Sequence, residues 1–517
     1  MNKVKEILTK KRILVFLAIT LCMLIALFFD FKKETFDGDE IYSYTLATSP
    51  NGGFMVGNVP SNTFTSPVVY NEALTLNKAD LFHFYKVYLN QANDVHPPFY
   101  YFLFNLVSSF KLDYFTKWTG LSLNLMFFLV TLVFVYLISK KLTKNIYASI
   151  FITLLYGLSV GALSNETFIR MYMLSTMFGT IFIYLLLLLD DDNSKFYLYP
   201  FITVITYLGF MTHYYFLVFA FFASLFYVIY LLIKKKYKKL ILFSIFTLLG
   251  VILGFITFRP AYDHMFKGYR GVESSTNLTS SNLKYNLDKM YPRFNEEAFY
   301  SDFPIVIFLF ISTLVYALLK VNPKKLIKDN RYLIIILLTI LSYFFLVVKM
   351  IPILSTRYIY IIYPYISIIL VTFLNKYLPK KYFSLVSGLL LLLCFINLVR
   401  IKPSWSNSIP NKEKDLIYEY QAYPYICAVE SDYHLIGKAP FLMKFSKIYI
   451  SFDFSEDNIK DILLYLKENN INKALFDLSV LKDENKYLDL LKEDDGYLNS
   501  FKTDIGIVYE YSFEGDN

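Results

Sequence analysis

The sequence predicts a polytopic α-helical membrane protein of about eleven transmembrane helices, followed by a C-terminal α/β domain. Three observations carry this expectation. Unbroken apolar runs of about 20 residues recur through the first 400 positions, and at 1.5 Å per residue each such run matches the ~30 Å hydrocarbon core of a bilayer. Lysine clusters fall in the short gaps between the runs, where they set orientation. Beyond residue 400 the pattern changes to strand and amphipathic helix in alternation, as a layered sheet requires. Composition agrees: 56% of the 517 residues are hydrophobic, 19% are aromatic and 18% are charged, against about 25% charged in soluble proteins. A chain so rich in aromatic residues is not disordered. The formal net charge of +9 would suggest a nucleic-acid partner in a soluble protein. Here the lysines between spans account for it, and no nucleic acid is expected. Cys22, Cys394 and Cys427 form neither a CxxC pair nor a disulfide framework.

Residues 1–12 are basic and lead into an apolar run at about 13–31 with no small-residue cleavage site after it. This is an uncleaved first span with a cytoplasmic N-terminus. The polar stretch 32–97 is then a large first outer loop of turns and short helices. Residues 99–110 (FYYFLFNLVSSF) are apolar but too short to cross, and suit an interfacial helix. Further spans are expected at 118–138, 146–163 and 171–189, then two sharing 197–233 with a break near Thr212–His213. The series continues at 240–258, 303–319, 332–350, 358–375 and 382–399, with a second outer loop at 259–302. With the N-terminus inside, every even-numbered span must end inside. The second, sixth, eighth and tenth end in lysine clusters, while the fourth ends in Asp190, Asp191 and Asp192. Acidic residues weigh little in orientation, so the map stands and the tail lies outside.

The chain thus divides into a membrane domain, 1–400, and an extracytoplasmic α/β domain, 401–517. In the latter, 425–430, 447–452, 473–480 and 505–513 have strand character. Ser455 is placed to cap an amphipathic helix at 456–468, with Ile459, Ile462, Leu463 and Leu466 on one face, and 484–492 suits a second helix.

Ionisable residues at a membrane face are costly and point to function. Asp39 and Glu40 follow span 1 directly and offer a general base; they also suit a helix start, where acids are favoured. Asp94-Val95-His96-Pro97-Pro98 precedes the interfacial helix, and its prolines fix the entry of the chain, as they would in any helix-start turn. Glu166, Arg170 and Tyr172 lie at the turn between spans 3 and 4. Glu166 and Arg170, spaced i, i+4, can pair on one helical face, a pair worth little at a surface. His213 occupies the turn between spans 5 and 6, followed by Tyr214 and Tyr215, which suit interfacial anchors. Arg357-Tyr358 opens span 10. Arginine is the preferred bidentate ligand of phosphate, and it also snorkels at interfaces. Each residue alone has a structural explanation. Together they come from five connections and map to one face, which argues for a single outward-facing polar site. The span centres are nearly free of charge, unlike those of ion-coupled transporters.

Read in order, these motifs are Asp-Glu after span 1, D-x-H-P-P before the interfacial helix, and E-x-x-x-R-x-Y at the 3/4 turn. T-H-Y-Y at the 5/6 turn and R-Y-x5-P at span 10 complete the set. With them, residues 10–400 resemble the GT-C superfamily of integral-membrane glycosyltransferases. The resemblance is to the group of protein O-mannosyltransferases and aminoarabinose transferases (glycosyltransferase family 39 and relatives), and it does not cover the tail. It implies a GT-C fold and an inverting transfer, on the extracytoplasmic side, of a sugar from a polyprenyl-phosphate donor. It matches Asp39 to the family's first-loop acid, the general base, and Glu40 to its neighbour. Arg170 and Arg357 match basic positions that hold the lipid phosphate. Asp94, His96, Glu166, Tyr172, His213 and Tyr358 would support the donor or acceptor. Metal use varies in the family and this chain has no D-x-D motif, so no metal or other cofactor is assigned. The expected partners are a polyprenyl-phosphate sugar, the bilayer, and an extracytoplasmic glycan, lipid or protein acceptor. Two other activities use related chemistry: a membrane polysaccharide polymerase or ligase, and a lipid-linked glycan transporter or flippase. The transporter would be expected to carry midplane charges or internal repeats, which the sequence lacks.

Overall fold

A computed structural model of the chain describes residues 2–49, 59–191, 194–409, 411–481, 484–493, 496–503 and 506–513. It forms two compact units. The first comprises Met1–Lys32, Gln91–Tyr100 and Gly120–Ser406; the second comprises Lys33–Asn90, Tyr101–Thr119 and Asn407–Asn517. Where the sequence suggests a division at residue 400, the fold groups the first loop with the tail.

In the first unit, nine helices among the described residues are long and apolar enough to cross a bilayer. They are Lys10–Lys32, Trp118–Thr143, Tyr172–Leu189, Tyr214–Ile233, Tyr237–Thr257, Phe303–Lys320, Arg331–Met350, Thr356–Tyr377 and Lys380–Arg400. The two remaining expected spans take other forms. Residues 146–163 fall in a broken pair, Ile146–Gly157 and Val160–Thr167, bent by 57°. Ser159 is extended and its hydroxyl accepts from the Ala162 backbone N–H at 3.2 Å, so it caps a new helix instead of continuing the old one. The other, Leu198–Phe210, has 13 residues and reaches only about 20 Å at 1.5 Å per residue. It packs against a helix carrying Gly250 and Gly254, spaced as in GxxxG. A Cβ at Gly254 would lie 2.0 Å from the Phe210 ring, and one at Gly250 would lie 2.6 Å from the Thr203 carbonyl. Small residues at this spacing let helices approach closely in a membrane.

The lysine-rich ends reverse sharply. Lys144 (φ 53) and Lys235 (φ 55) take left-handed backbone just after their helices, the usual device for ending one. The acidic end of the fourth span has its reason here. Asp190 is buried and pairs with Lys236 Nζ at 3.0 Å, and Arg331 lies 3.9 Å away. Tyr230 donates to it at 3.1 Å and Tyr332 donates as well. Asp191 pairs with Lys141 at 2.6 Å. The acids thus neutralise basic residues from neighbouring helices; Asp192 lies outside the described residues.

The second unit is built on a six-stranded sheet. Its strands are β1 (Phe64–Thr65), β2 (Pro424–Ala428), β3 (Lys447–Ser451), β4 (Lys473–Asp477), β5 (Gly496–Thr503) and β6 (Gly506–Phe513), in the order β1-β3-β2-β4-β6-β5. The core pairs β3-β2-β4 are parallel, joined by the helices Asp432–Leu442 and Glu456–Glu468; β1 and the β5–β6 hairpin are antiparallel. Ser455 caps its helix as expected, in a reciprocal box with Asn458, and the Ile459, Ile462, Leu463 and Leu466 stripe is buried on the sheet. The first loop is woven into this domain. Phe64 pairs with Tyr449, and its ring stacks on Tyr465 at 4.0 Å. The helix Gly38–Thr48 lies on the Asp432–Leu442 helix. There Tyr42 stacks on Tyr433, and a Cβ at Gly38 would touch the Tyr433 ring at 3.3 Å.

Candidate functional site

In the first unit, the turns at the end away from Asp190 bring together most of the expected site residues. The Phe99 N–H donates to the Met211 carbonyl at 2.9 Å. This bond ties the D-x-H-P-P entry to the 5/6 turn. Within that entry, Asp94 Oδ2 and His96 Nδ1 lie 3.0 Å apart. The His96 ring is 5.8 Å from His213, which is 5.2 Å from Tyr172, which in turn is 5.9 Å from Tyr358. Burial pushes the Asp94 carboxyl up. The His96 hydrogen bond and the charges of His96 and Arg170 outweigh it and hold the carboxyl below its usual range.

Arg170 sits in a tight turn. Its N–H donates to the Phe168 carbonyl at 2.6 Å, and the buried Asn124 amide donates to the Glu166 and Phe168 carbonyls at 2.8 and 2.7 Å. The helix ends at Thr167 and Phe168 is extended (ψ 108). Glu166 and Arg170 therefore do not share a helical face, contrary to the i, i+4 expectation; Glu166 is fully buried at the end of its helix. Arg357 is also buried, its guanidinium carbon 5.7 Å from the Phe168 ring centre and 5.2 Å from that of Tyr358. Arginine on aromatic faces is held flat and pre-oriented.

His213 joins these pieces. The Tyr215 backbone N–H donates to its Nδ1 at 3.0 Å, so the neutral ring carries its proton on Nε2. That Nε2 is buried and meets no hydrogen-bond partner among the described residues. Burial first, then the charges of His96, Arg170 and Arg357, push the imidazole well below its usual value. Two guanidinium charges thus converge on a neutral ring with a spare N–H donor. Such an arrangement suits an anion, because buried polar groups find partners.

Asp39 and Glu40 belong to the second unit. The Asp37 carboxylate caps their helix, and Glu40 returns the bond to the Asp37 N–H at 2.8 Å. Glu40 also pairs with Lys33 at 2.9 Å, both fully buried. Asp39, one residue earlier, is half-exposed.

Several site elements carried no mark in the sequence. Trp405 stacks on Phe168 at 4.1 Å, and its indole N–H donates to the Tyr360 hydroxyl at 3.4 Å. Glu297, fully buried, pairs with Arg293 at 2.9 Å and accepts from the Tyr363 hydroxyl at 2.8 Å and the Ser404 hydroxyl at 3.1 Å. It anchors the segment that lays Trp405 on Phe168. A groove of about 500 Å³ lined by Phe294, Phe344, Phe345, Leu370 and other apolar side chains reaches Ile362, on the same 3-10 turn as Arg357. Among the described residues no three His, Cys, Asp or Glu side chains gather as a metal site.

No protein-family profile matches the chain, and no curated protein matches its sequence. Solved structures do match. ArnT from Cupriavidus metallidurans, bound to undecaprenyl phosphate, superposes at a TM-score of 0.56 and 12% identity, over 97% of this chain and 99% of its own. The fold is that of ArnT. The apo form of ArnT gives 0.52 and 11%, over 95% and 97%. The Archaeoglobus fulgidus oligosaccharyltransferase AglB, in complex with an inhibitory peptide and a dolichol-phosphate, overlaps more loosely, at 0.46 and 10% over 96% and 74%. The polytopic helical fold with a C-terminal α/β domain expected from the sequence is therefore the one observed, and the likeness to ArnT extends through the tail that the motifs did not cover.

Proposed function

We propose that the chain is a multi-pass membrane glycosyltransferase that moves a sugar from a polyprenyl-phosphate donor to an extracytoplasmic acceptor. The observation that carries this is the spare, buried His213 Nε2–H beside the charges of Arg170 and Arg357. A phosphate ester there would gain charge-assisted hydrogen bonds, and the apolar groove lined in part by Ile362 would take its polyprenyl chain. That ArnT binds undecaprenyl phosphate supports the same ligand class.

The reaction is a single displacement. The acceptor hydroxyl attacks the anomeric carbon, the carbon–oxygen bond to phosphate breaks, and the polyprenyl phosphate leaves with the electron pair. The arginines and His213 Nε2–H stabilise the charge gathering on the leaving phosphate. Asp39 is the proposed general base that takes the hydroxyl proton, and Asp94, His96, Glu166, Tyr172 and Tyr358 shape the site. The lysine-rich helix ends support a cytoplasmic N-terminus and an extracytoplasmic tail.

The test is direct. Full-length protein in lipid nanodiscs should bind undecaprenyl phosphate and release sugar from undecaprenyl-phosphate sugars when an envelope acceptor is present. Absence of both binding and release across a panel of such donors would remove the proposal.

A further inference from the structure

Residues 401–406 follow the last span and close the first unit. They are clamped at Ser404. Its N–H donates to the Ser164 hydroxyl at 2.9 Å, and its hydroxyl donates to Glu297 at 3.1 Å and accepts from Arg293 at 2.5 Å. Ser164 belongs to the helix Val160–Thr167, and Arg293 and Glu297 to the helix Leu283–Ala298. These two helices approach closely. A Cβ at Gly161 would lie 2.8 Å from the Glu297 carbonyl and 2.4 Å from the Tyr363 ring. Glu297 also accepts from the Tyr360 and Tyr363 hydroxyls at 3.3 and 2.8 Å. A close-packed polar frame therefore fixes Ser404, and with it the direction in which the next residue leaves.

That residue is Trp405, and it reaches both turns that carry the site arginines. Its indole lies over the Phe168 ring with centres 4.1 Å apart and planes 20° apart. Phe168 accepts the Arg170 N–H on its carbonyl at 2.6 Å, and its ring centre is 5.7 Å from the Arg357 guanidinium carbon. The Trp405 N–H donates to the Tyr360 hydroxyl at 3.4 Å. Tyr360 lies three residues beyond Arg357 on the same 3-10 turn, Thr356–Ile362. Phe168 and Tyr360 are buried and Trp405 is half-buried. Both contacts are of the kind a buried tryptophan makes, a ring stack and a hydrogen bond from its N–H.

From this double contact and the frame behind it, we propose that Trp405 is a positioning residue for the donor phosphate. It braces the Phe168–Arg170 turn against the Arg357 turn, so that both guanidinium groups are in place before the lipid arrives. Groups already held in the bound geometry cost less to order on binding, and a site of this kind depends on the residues that lock its side chains. The inference rests on the glycosyltransferase reading above and adds to it a residue that acts only through the arginines.

The experiment uses full-length protein in lipid nanodiscs, with undecaprenyl phosphate affinity and sugar release as readouts. Trp405→Ala should weaken the lipid about tenfold, the lower end of the range for losing one hydrogen bond to a charged group. The loss should not exceed that of Arg357→Ala. Trp405→Phe keeps a ring on Phe168 and should recover most of the affinity. In the Arg357→Ala background, Trp405→Ala should cost clearly less than it does in the wild type, because coupled residues are not additive. A residue that only supports the fold would cost the same in both backgrounds, and that result would overturn the proposal. Wild-type affinity in Trp405→Ala, or no recovery in Trp405→Phe, would overturn it as well. Trp405→Leu keeps apolar volume on Phe168 without a ring and carries the same test if the alanine variant fails to fold. If the wild type binds the lipid and these variants match it, the brace alone is removed. If the wild type neither binds lipid nor releases sugar, the glycosyltransferase reading falls and the brace falls with it.

Discussion

Arg357→Ala gives the sharpest test of the phosphate site. The wild-type guanidinium carbon lies 5.7 Å from the Phe168 ring centre and 5.2 Å from that of Tyr358. Those ring interactions exist before and after binding, so to first order they cancel in the affinity. What remains is the hydrogen bond to a charged oxygen, about 1.5–3 kcal/mol, which is roughly ten- to hundredfold in Kd. Arg357→Lys keeps the charge but loses the planar fork, so it should fall between the two. Undecaprenyl phosphate binding in nanodiscs, followed by tryptophan quenching or retained lipid, gives the numbers. Arg170→Ala should cost a similar amount. If both arginines hold one phosphate, the double variant should lose less than the two single losses added, because the sites couple. Wild-type affinity in Arg357→Ala would refute the site, and strict additivity would refute the single-phosphate arrangement.

Asp39→Asn should lower turnover by about 10²- to 10⁴-fold with lipid binding intact, as loss of a general base does; normal turnover moves that role elsewhere. Glu40→Gln should act on stability instead, lowering the melting temperature through about 3–5 kcal/mol, because it removes one charge of a fully buried ion pair. A wild-type melting curve would mean that the pair is not needed. His213 gives a pH effect. Its folded pKa lies below the unfolded value of about 6.5, so below that pH the unfolded chain takes up a proton that the folded chain does not, and stability is lost as pH falls. His213→Asn, which can still cap the helix, should flatten that slope; an unchanged slope assigns it to another group. Tyr433→Ala removes the ring against Gly38 and Tyr42 and should lower kcat while leaving donor affinity alone, with Tyr433→Phe restoring it. Equal loss in the Phe variant would mean that the hydroxyl matters rather than the packing. Finally, a cysteine placed at exposed Tyr418 should react with an impermeant reagent in intact cells, and labelling only after lysis would invert the topology.

The span map was legible because hydropathy in a bilayer leaves few alternatives: apolar length and lysine at the ends nearly suffice. What escaped it depended on other chemistry. The bend at Leu158–Ser159 rests on a single hydroxyl cap, and the short helix before Met211 is recognisable as short only once Gly250 and Gly254 are known to face it. In the tail, the strands with β-branched and aromatic runs were visible and the helix cap at Ser455 followed from its pattern. The two-residue β1 was not, because Phe64–Thr65 has no periodicity to show. Its pairing with residues 448–449 is a contact across nearly the whole chain, which no local pattern encodes.

At the site, ionisable side chains stood out against apolar surroundings, whereas Phe168 and Trp405 were hidden in a chain that is 19% aromatic. The Asp39–Glu40 pair shows why adjacency in sequence misleads. Successive residues on a helix point about 100° apart, so two neighbouring carboxylates cannot do the same work. Glu40, at the third position of its helix, turns back to the cap and meets Lys33 in the interior. Asp39 is left half-exposed on the first turn. Glu40's carboxylate is committed to a capping bond and a buried lysine, whereas Asp39 is half-exposed. Glu40 holds the first turn of this helix in place through the Asp37 N–H and Lys33, and Asp39, the proposed base, sits beside it on that turn.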